Sequence, residues 1–191
     1  MDLRYLFPTV IGEKRSLVSK EYNNSLIDRA LEIYNKNDSF SDSVFGNTKH
    51  TKNTYDIVND KLFFPLLDEI NKQVHIFAES FGSKEKYNYS NSWLNFSNKH
   101  SYQEYHNHPN CVFSCVYYVQ APKGSADLIF KSSKDNMISL KKADMNNPIN
   151  WESAKYGAIE RSLFIFRSDL QHRVPTGTNE DLRISIAINW K

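Results

Sequence analysis

Ser162-Leu163-Phe164-Ile165-Phe166-Arg167-Ser168-Asp169-Leu170-Gln171-His172 is a strongly apolar run that breaks into a polar turn and delivers a histidine at its far end. Its aromatic and β-branched residues suit a pleated, buried surface. Its first part, Ser162 to Ser168, belongs to a series of β-rich runs after Gly82, the others being Asn88 to Phe96, Cys111 to Gln120, Ala126 to Lys131 and Arg183 to Trp190, all separated by turn residues. Strands in series, without strand–helix alternation, predict a sandwich or barrel: a mainly β fold with helices flanking one side, not a doubly wound sheet.

The first half reads as helical scaffolding. From Ser19 as N-cap, Leu26, Ile27, Ala30, Leu31 and Tyr34 recur at helical spacing, and Asn35 to Asp38 form the stop. A second helix is predicted from near Asn59, with Leu62, Phe63, Leu66, Leu67, Ile70, Val74, Phe77 and Phe81 on one face, Pro65 tolerated in the first turn and Gly82 at the end. His75 falls off that stripe and reads as exposed. Ser39 to Asp56 is polar and aperiodic, a loop suited to flank an active-site mouth, and His50 within it reads as solvent-facing. Ser132 to Glu160, containing Lys141-Lys142, Pro148 and Trp151, reads as a polar insertion covering the core.

A chain of 191 residues fits one domain, 1–191, in which helices of 1–85 support a β-core of 86–191. An aromatic content of 14% suits flat side chains filling the space between sheets. A net charge of +2 carries no electrostatic footprint for nucleic acid or an anionic membrane. No run approaches the ~20 apolar residues of a membrane span, so the expectation is a soluble, cytoplasmic protein. Cys111 and Cys115 fall in one predicted strand, ~13 Å apart if extended, and read as reduced thiols.

The chemistry concentrates in Tyr105-His106-Asn107-His108-Pro109. In extended chain, residues i and i+2 share a face, so His106 and His108 present two imidazoles to one point. Alone, such a pair often decorates a surface turn. His172, at the end of the apolar run, is the natural third donor, and three imidazoles hold a transition metal without saying which. Eleven residues on, Arg183 and Ser185 share a face of the last strand. A guanidinium beside a hydroxyl on an inward face suits a carboxylate, and without an anion that buried charge is costly.

Taken together, Trp93-Leu94-Asn95-Phe96, His106-Asn107-His108-Pro109, Ser114-Cys115-Val116-Tyr117-Tyr118-Val119, Phe164-Ile165-Phe166-Arg167-Ser168 up to His172, and Arg183-Ile184-Ser185-Ile186-Ala187-Ile188-Asn189 resemble the 2-oxoglutarate and Fe(II)-dependent oxygenases common in marine bacteria and their phages. Leu6-Phe7-Pro8-Thr9 extends the resemblance to the N-terminus. It implies a double-stranded β-helix (jelly roll, cupin-like) with the metal at the open end. His106, His108 and His172 become the Fe(II) ligands, and Arg183 and Ser185 the holders of the far carboxylate of 2-oxoglutarate. Asn95 and Trp93 would line the pocket, with Tyr117 or Tyr118 offering a hydroxyl. The implied reaction uses dioxygen and 2-oxoglutarate to hydroxylate an unidentified prime substrate, releasing succinate and CO2. It would run in the host cytoplasm if phage-encoded, and an exposed jelly-roll edge leaves room for a homodimer. One departure stands out: the wider superfamily usually has Asp or Glu where this chain has His108, which makes all three protein donors neutral. Should His108 turn away, Glu104 or Asp127 is the alternative carboxylate. Two other readings keep the fold: a cupin-type dioxygenase that does not use 2-oxoglutarate, against which Arg183 and Ser185 speak, and a jelly-roll metal-binding module, against which the lack of a fourth protein ligand speaks.

Overall fold

The computed structural model describes residues 1, 2, 4, 6–36, 40–42, 45–133, 144 and 146–191. Strand β1 (Ile11–Lys14) precedes helix α1 (Lys20–Lys36), and the short strands β2 (Ser41–Asp42) and β3 (Lys49–His50) lead to helix α2 (Phe64–Glu79). The chain then runs through β4 (Tyr89–Ser97), β5 (Gln103–His106), β6 (Phe113–Gln120), β7 (Leu128–Lys131), β8 (Ser153–Tyr156), β9 (Leu163–Arg167), β10 (His172–Val174) and β11 (Arg183–Trp190). The strands form two antiparallel sheets, ordered β1-β9-β6-β11-β4-β3-β2 and β5-β10-β7-β8. From β4 onward the chain passes back and forth between the sheets, which is the winding of a jelly roll.

The last strand shows why both faces of the larger sheet are used. All eight residues of β11 are buried, yet alternation sends Ile184, Ile186, Ile188 and Trp190 to the outer face, where they pack with Leu26, Ala30, Leu66, Ile70 and Val74 of the helices. Arg183, Ser185, Ala187 and Asn189 turn inward, between the sheets. A second, smaller core of Tyr118, Leu128, Phe130, Phe164, Phe166, Leu170 and Val174 fills the part of that interior next to β7 and β9.

The predicted helices form, with revised limits. Ser19 caps α1 by accepting the Tyr22 N–H at 3.2 Å, and the helix runs to Lys36; residues 37 and 38 of the predicted stop lie outside the described residues. The second helix begins at Phe64, not near Asn59, because the Asp56 and Asp60 side chains cap separate 3-10 turns at Ile57–Asn59 and Lys61–Phe63, and Asp60 is extended (φ −115°, ψ 114°). Pro65 then opens α2 and Gly82, at φ 77°, follows its end. Phe81 lies past the helix and is exposed, packing edge-on against Phe77. His75 is half-buried, with its ring bonded to the Asn71 carbonyl at 2.8 Å and accepting the Tyr87 N–H at 3.4 Å.

The predicted strands appear within two residues of their expected limits, and the structure adds β1, β2, β3, β5, β8 and β10. Two corrections bear on the site. The polar stretch 39–56 carries β2 and β3, and His50 is buried on the sheet beside β4. The insertion 132–160 contributes β8, paired with β7, so part of it is sheet; Lys141-Lys142 lie outside the described residues. Cys111 precedes β6 and Cys115 is buried within it, and both are free thiols.

One buried polar contact ties the helical layer to the sheet. Asn23, fully buried on α1, donates to the Val119 carbonyl at 2.9 Å and accepts from the Tyr117 hydroxyl at 2.7 Å. An orphaned buried partner costs roughly 1–3 kcal/mol. Asn23→Ala is therefore expected to lower stability by about 2–3 kcal/mol in urea unfolding, and Asn23→Ala with Tyr117→Phe to lose less than the sum of the single changes.

Candidate metal centre

The centre is assembled by strand register. β10 pairs with β5 so that His172 lies directly opposite His106, and side chains opposite each other in an antiparallel pair emerge on the same face. After His106 the chain leaves the strand and the His108 N–H donates to the Ser168 carbonyl at 2.9 Å, which anchors it to the turn between β9 and β10. The donor nitrogens of His106, His108 and His172 all lie within 4.8 Å of one another. Ring centroids are 4.3 Å apart for His106 and His172, 5.3 Å for His106 and His108, and 5.1 Å for His108 and His172.

Two of the rings are oriented from behind. Nδ1 of His106 bonds to the Glu104 carbonyl at 2.8 Å and Nδ1 of His172 to the Leu170 carbonyl at 2.9 Å. A carbonyl only accepts, so each Nδ1 carries the proton and each Nε2 keeps its lone pair for a metal. Among the described residues no such bond orients His108; its ring sits 5.6 Å from Trp93. Burial is the main cause that lowers the proton affinity of all three imidazoles, with the Lys52 charge adding to it at His106 and His108. His108 is pulled down to about 3. All three are neutral donors near pH 7, which suits a divalent cation of the iron, nickel, copper or zinc group.

The inner face of the larger sheet continues the site in rows. Ala187 pairs with Trp93, Ser185 with Asn95 and Arg183 with Ser97. The Trp93 indole N–H donates to Asn95 Oδ1 at 3.1 Å, and both side chains are buried. Arg183 is only 3% exposed; among the described residues its Nε has no partner and its one bond is a long 3.4 Å contact from Nη2 to the Tyr118 hydroxyl, with the guanidinium 4.9 Å from that ring. It forms no ion pair among the described residues. A buried guanidinium with unused donors is a place for an anion.

Trp93, Asn95, Arg183 and Ser185 thus lie in the inward rows of the larger sheet, and His106, His108 and His172 converge. The parity of β6 is settled: Tyr118 faces Arg183, and Tyr117 faces the helices. Neither Glu104 nor Asp127 joins the imidazoles, since the one group of donors close enough together to hold a metal is His106, His108 and His172 among the described residues. Sequence reasoning missed Phe45, whose ring stacks on His106 at 5.3 Å and 9°, Lys52, whose ammonium lies 5.0 Å over Trp93, and Ser168. The Ser168 hydroxyl bonds with Ser114 at 2.8 Å, Ser114 donates to Asn189 at 2.7 Å, and Asn189 donates to Asn91 at 2.9 Å. No local signal marks these residues, because each acts through a partner far away in sequence.

Residues 91–189, which hold all of these donors, match the family described as "Putative 2OG-Fe(II) oxygenase". No curated protein matches the chain by sequence. Among solved structures, the chain is similar to a prolyl-4-hydroxylase of Pseudomonas putida at 10% identity and a TM-score of 0.67, covering 96% of this chain and 92% of that one. A viral collagen prolyl hydroxylase from Paramecium Bursaria Chlorella virus-1, solved with 2OG, aligns at 13% identity and a TM-score of 0.61, with 94% of each chain covered. HygX from Streptomyces hygroscopicus, solved with nickel, 2-oxoglutarate and hygromycin B, aligns at 10% identity and a TM-score of 0.65, covering 95% of this chain and 82% of that one.

The depressed imidazoles have a consequence for the metal-free protein. Unfolded histidines take up protons near pH 6.5, whereas the folded rings do so only at lower pH, so below about 6.5 the unfolded state binds more protons and stability falls with falling pH. The urea midpoint of the metal-free protein is expected to be level above about pH 7 and to drop from pH 6.5 to 5. His108→Gln should remove on the order of 1 kcal/mol per pH unit from that slope; an unchanged slope would contradict a neutral, half-buried His108.

Proposed function

The chain belongs to the 2OG-Fe(II) oxygenase family, and from that premise we propose that His106, His108 and His172 hold its iron while Arg183, with Ser185 and Asn95 beside it, holds the far carboxylate of 2-oxoglutarate. The observation that carries the reading is the buried Arg183, whose Nε has no partner and which forms no ion pair among the described residues, on the same inner face as the rows that lead to Trp93 and His108. A metal site alone would not require it. The donor set fits the ion: three neutral imidazoles converge, two with Nε2 freed by a carbonyl bond at Nδ1.

When bound, iron and 2-oxoglutarate supply the activation of dioxygen at the cost of decarboxylating 2-oxoglutarate to succinate and CO2, the oxidising chemistry that residues alone lack. The chain's own contribution is positioning. Three donors leave coordination positions open for co-substrate and dioxygen. Because none of the three is charged, the protein leaves the ion's charge uncompensated, which favours a dianionic co-substrate. Arg183 neutralises the far end of that dianion, and its fork suits bidentate contact. Ser185 lies in the adjacent inward row, opposite Asn95, where a hydroxyl and an amide add donors. Phe166 packs 4.7 Å from the His172 ring and Phe130 6.3 Å from it, so the back of the centre is apolar and closed to water.

The open side of the centre, next to His108 and Trp93, is where we place the prime substrate, with hydroxylation of a C–H bond as the reaction. The helices of residues 1–85 act as support and residues 86–191 carry the chemistry, with β1, β2 and β3 lent to the larger sheet.

Anaerobic addition of Fe(II) and 2-oxoglutarate to the metal-free protein tests this directly. The parent is expected to develop the weak visible charge-transfer band of a chelated keto acid. His172→Ala should lose both iron and band. Arg183→Ala should keep iron but need about ten to a hundred times more 2-oxoglutarate, the equivalent of one or two charge-assisted hydrogen bonds. Iron bound by the parent without a band would overturn the 2-oxoglutarate assignment, and Arg183→Ala with parental affinity would remove Arg183 from it.

A further inference from the structure

Residues 45–48 run along the outer edge of β5 and bind it closely. The Glu104 N–H donates to the Phe45 carbonyl at 2.6 Å, Gly46 forms a bridge with Gln103, and the Asn47 N–H donates to the Tyr102 carbonyl at 3.2 Å. Asn47 adds two side-chain bonds, accepting the Tyr102 N–H at 2.9 Å and donating to the His100 carbonyl at 3.1 Å, and Thr48 donates to the Tyr102 carbonyl at 3.2 Å. Immediately afterwards β3 joins β4 in the other sheet. The segment therefore straps the two sheets together at the rim of the metal centre.

Two of its contacts end on His106. Phe45 holds the N–H of Glu104, and the carbonyl of Glu104 is the acceptor that fixes His106 Nδ1. The Phe45 ring lies nearly parallel to the imidazole, 9° between planes and 5.3 Å between centroids. Gly46 makes the approach feasible, because a Cβ there would come within 2.1 Å of the Tyr102 carbonyl oxygen. Phe45 is itself 48% exposed, so burial in the core does not account for its placement.

We infer that Phe45 is a positioning residue for the metal centre: the strap of Phe45, Gly46 and Asn47 holds the His106 ring in its ligating orientation and so sets how tightly the centre retains its metal. The inference rests on the reading of His106 as a ligand. Groups behind a ligand that fix its orientation are worth about ten- to a hundredfold in metal affinity, and a flat ring stacked on an imidazole restricts the one rotation that the Nδ1 bond leaves soft.

Co(II) serves as the probe, followed by its visible absorption and by its release to a chelator, with the urea midpoint of the metal-free protein recorded for each variant. Phe45→Ala is expected to release Co(II) about ten times faster than the parent or more, with an unchanged metal-free midpoint and an altered Co(II) spectrum. Phe45→Trp should restore retention, and Gly46→Ala, which pushes the strap off β5 without touching the ring, should reproduce the loss. Parental release from Phe45→Ala and Gly46→Ala would overturn the inference while leaving the histidine centre intact. So would a loss that merely follows a fall in the metal-free midpoint, or one that Phe45→Trp fails to repair. A parent that binds no Co(II) at all would refute the histidine centre first, and the strap's role with it.

Discussion

The antiparallel register that sets His172 of β10 opposite His106 of β5 is the constraint on which the site depends. A shift of one residue would send one imidazole to the outside of the smaller sheet. That register is held from several directions. β7 pairs with the other edge of β10, placing Phe130 opposite His172, and the Lys131 N–H donates to the Gln171 carbonyl at 2.9 Å just before it. His108, which lies beyond β5, depends on the same region through Ser168.

Ser168 also connects the smaller sheet's turn to the larger sheet. Its N–H donates to the Val112 carbonyl at 3.0 Å, and its hydroxyl enters the buried chain of Ser114, Asn189 and Asn91. A paired polar chain that is largely buried favours one arrangement, because a displacement strands a donor or acceptor away from water. It spans β6, β11 and β4, the same strands whose outer faces carry the helices. Helix packing, the polar interior and the three converging imidazoles are thus mechanically one assembly.

The interior is divided by chemical character. Towards β7 and β9 it is aromatic and dry; towards β4 and β11 it is lined by Trp93, Asn95, Ser185 and Arg183. The Arg183 guanidinium, with no ion pair, gives the interior a positive character, and no carboxylate joins the three neutral imidazoles among the described residues. That arrangement pairs naturally with a dianionic co-substrate, which brings the charge that the protein withholds.

The sequence by itself determined the fold class, the two helices and the five long strands, and it singled out the three histidines that the structure brings together and the buried arginine on the last strand, because these rest on local periodicity and on side chains whose chemistry is scarce. It placed Ser19, Pro65 and Gly82 correctly for the same reason, since caps and breakers act within a few residues. Only the tertiary structure decided what depends on partners distant in sequence. The strands β1, β3, β5, β8 and β10 are too short to carry a period of their own and exist because a neighbour supplies hydrogen bonds. His50 is buried because β3 lies against β4, Tyr118 rather than Tyr117 meets Arg183 because of where β6 starts, and His108 reaches the centre through the Ser168 carbonyl sixty residues away. Phe45 stacks on His106 across a similar gap, through a polar stretch whose composition suggested only a loop. Hydrogen-bond donors and acceptors of the backbone are the same at every residue, so no pattern of side chains announces which strands they will join.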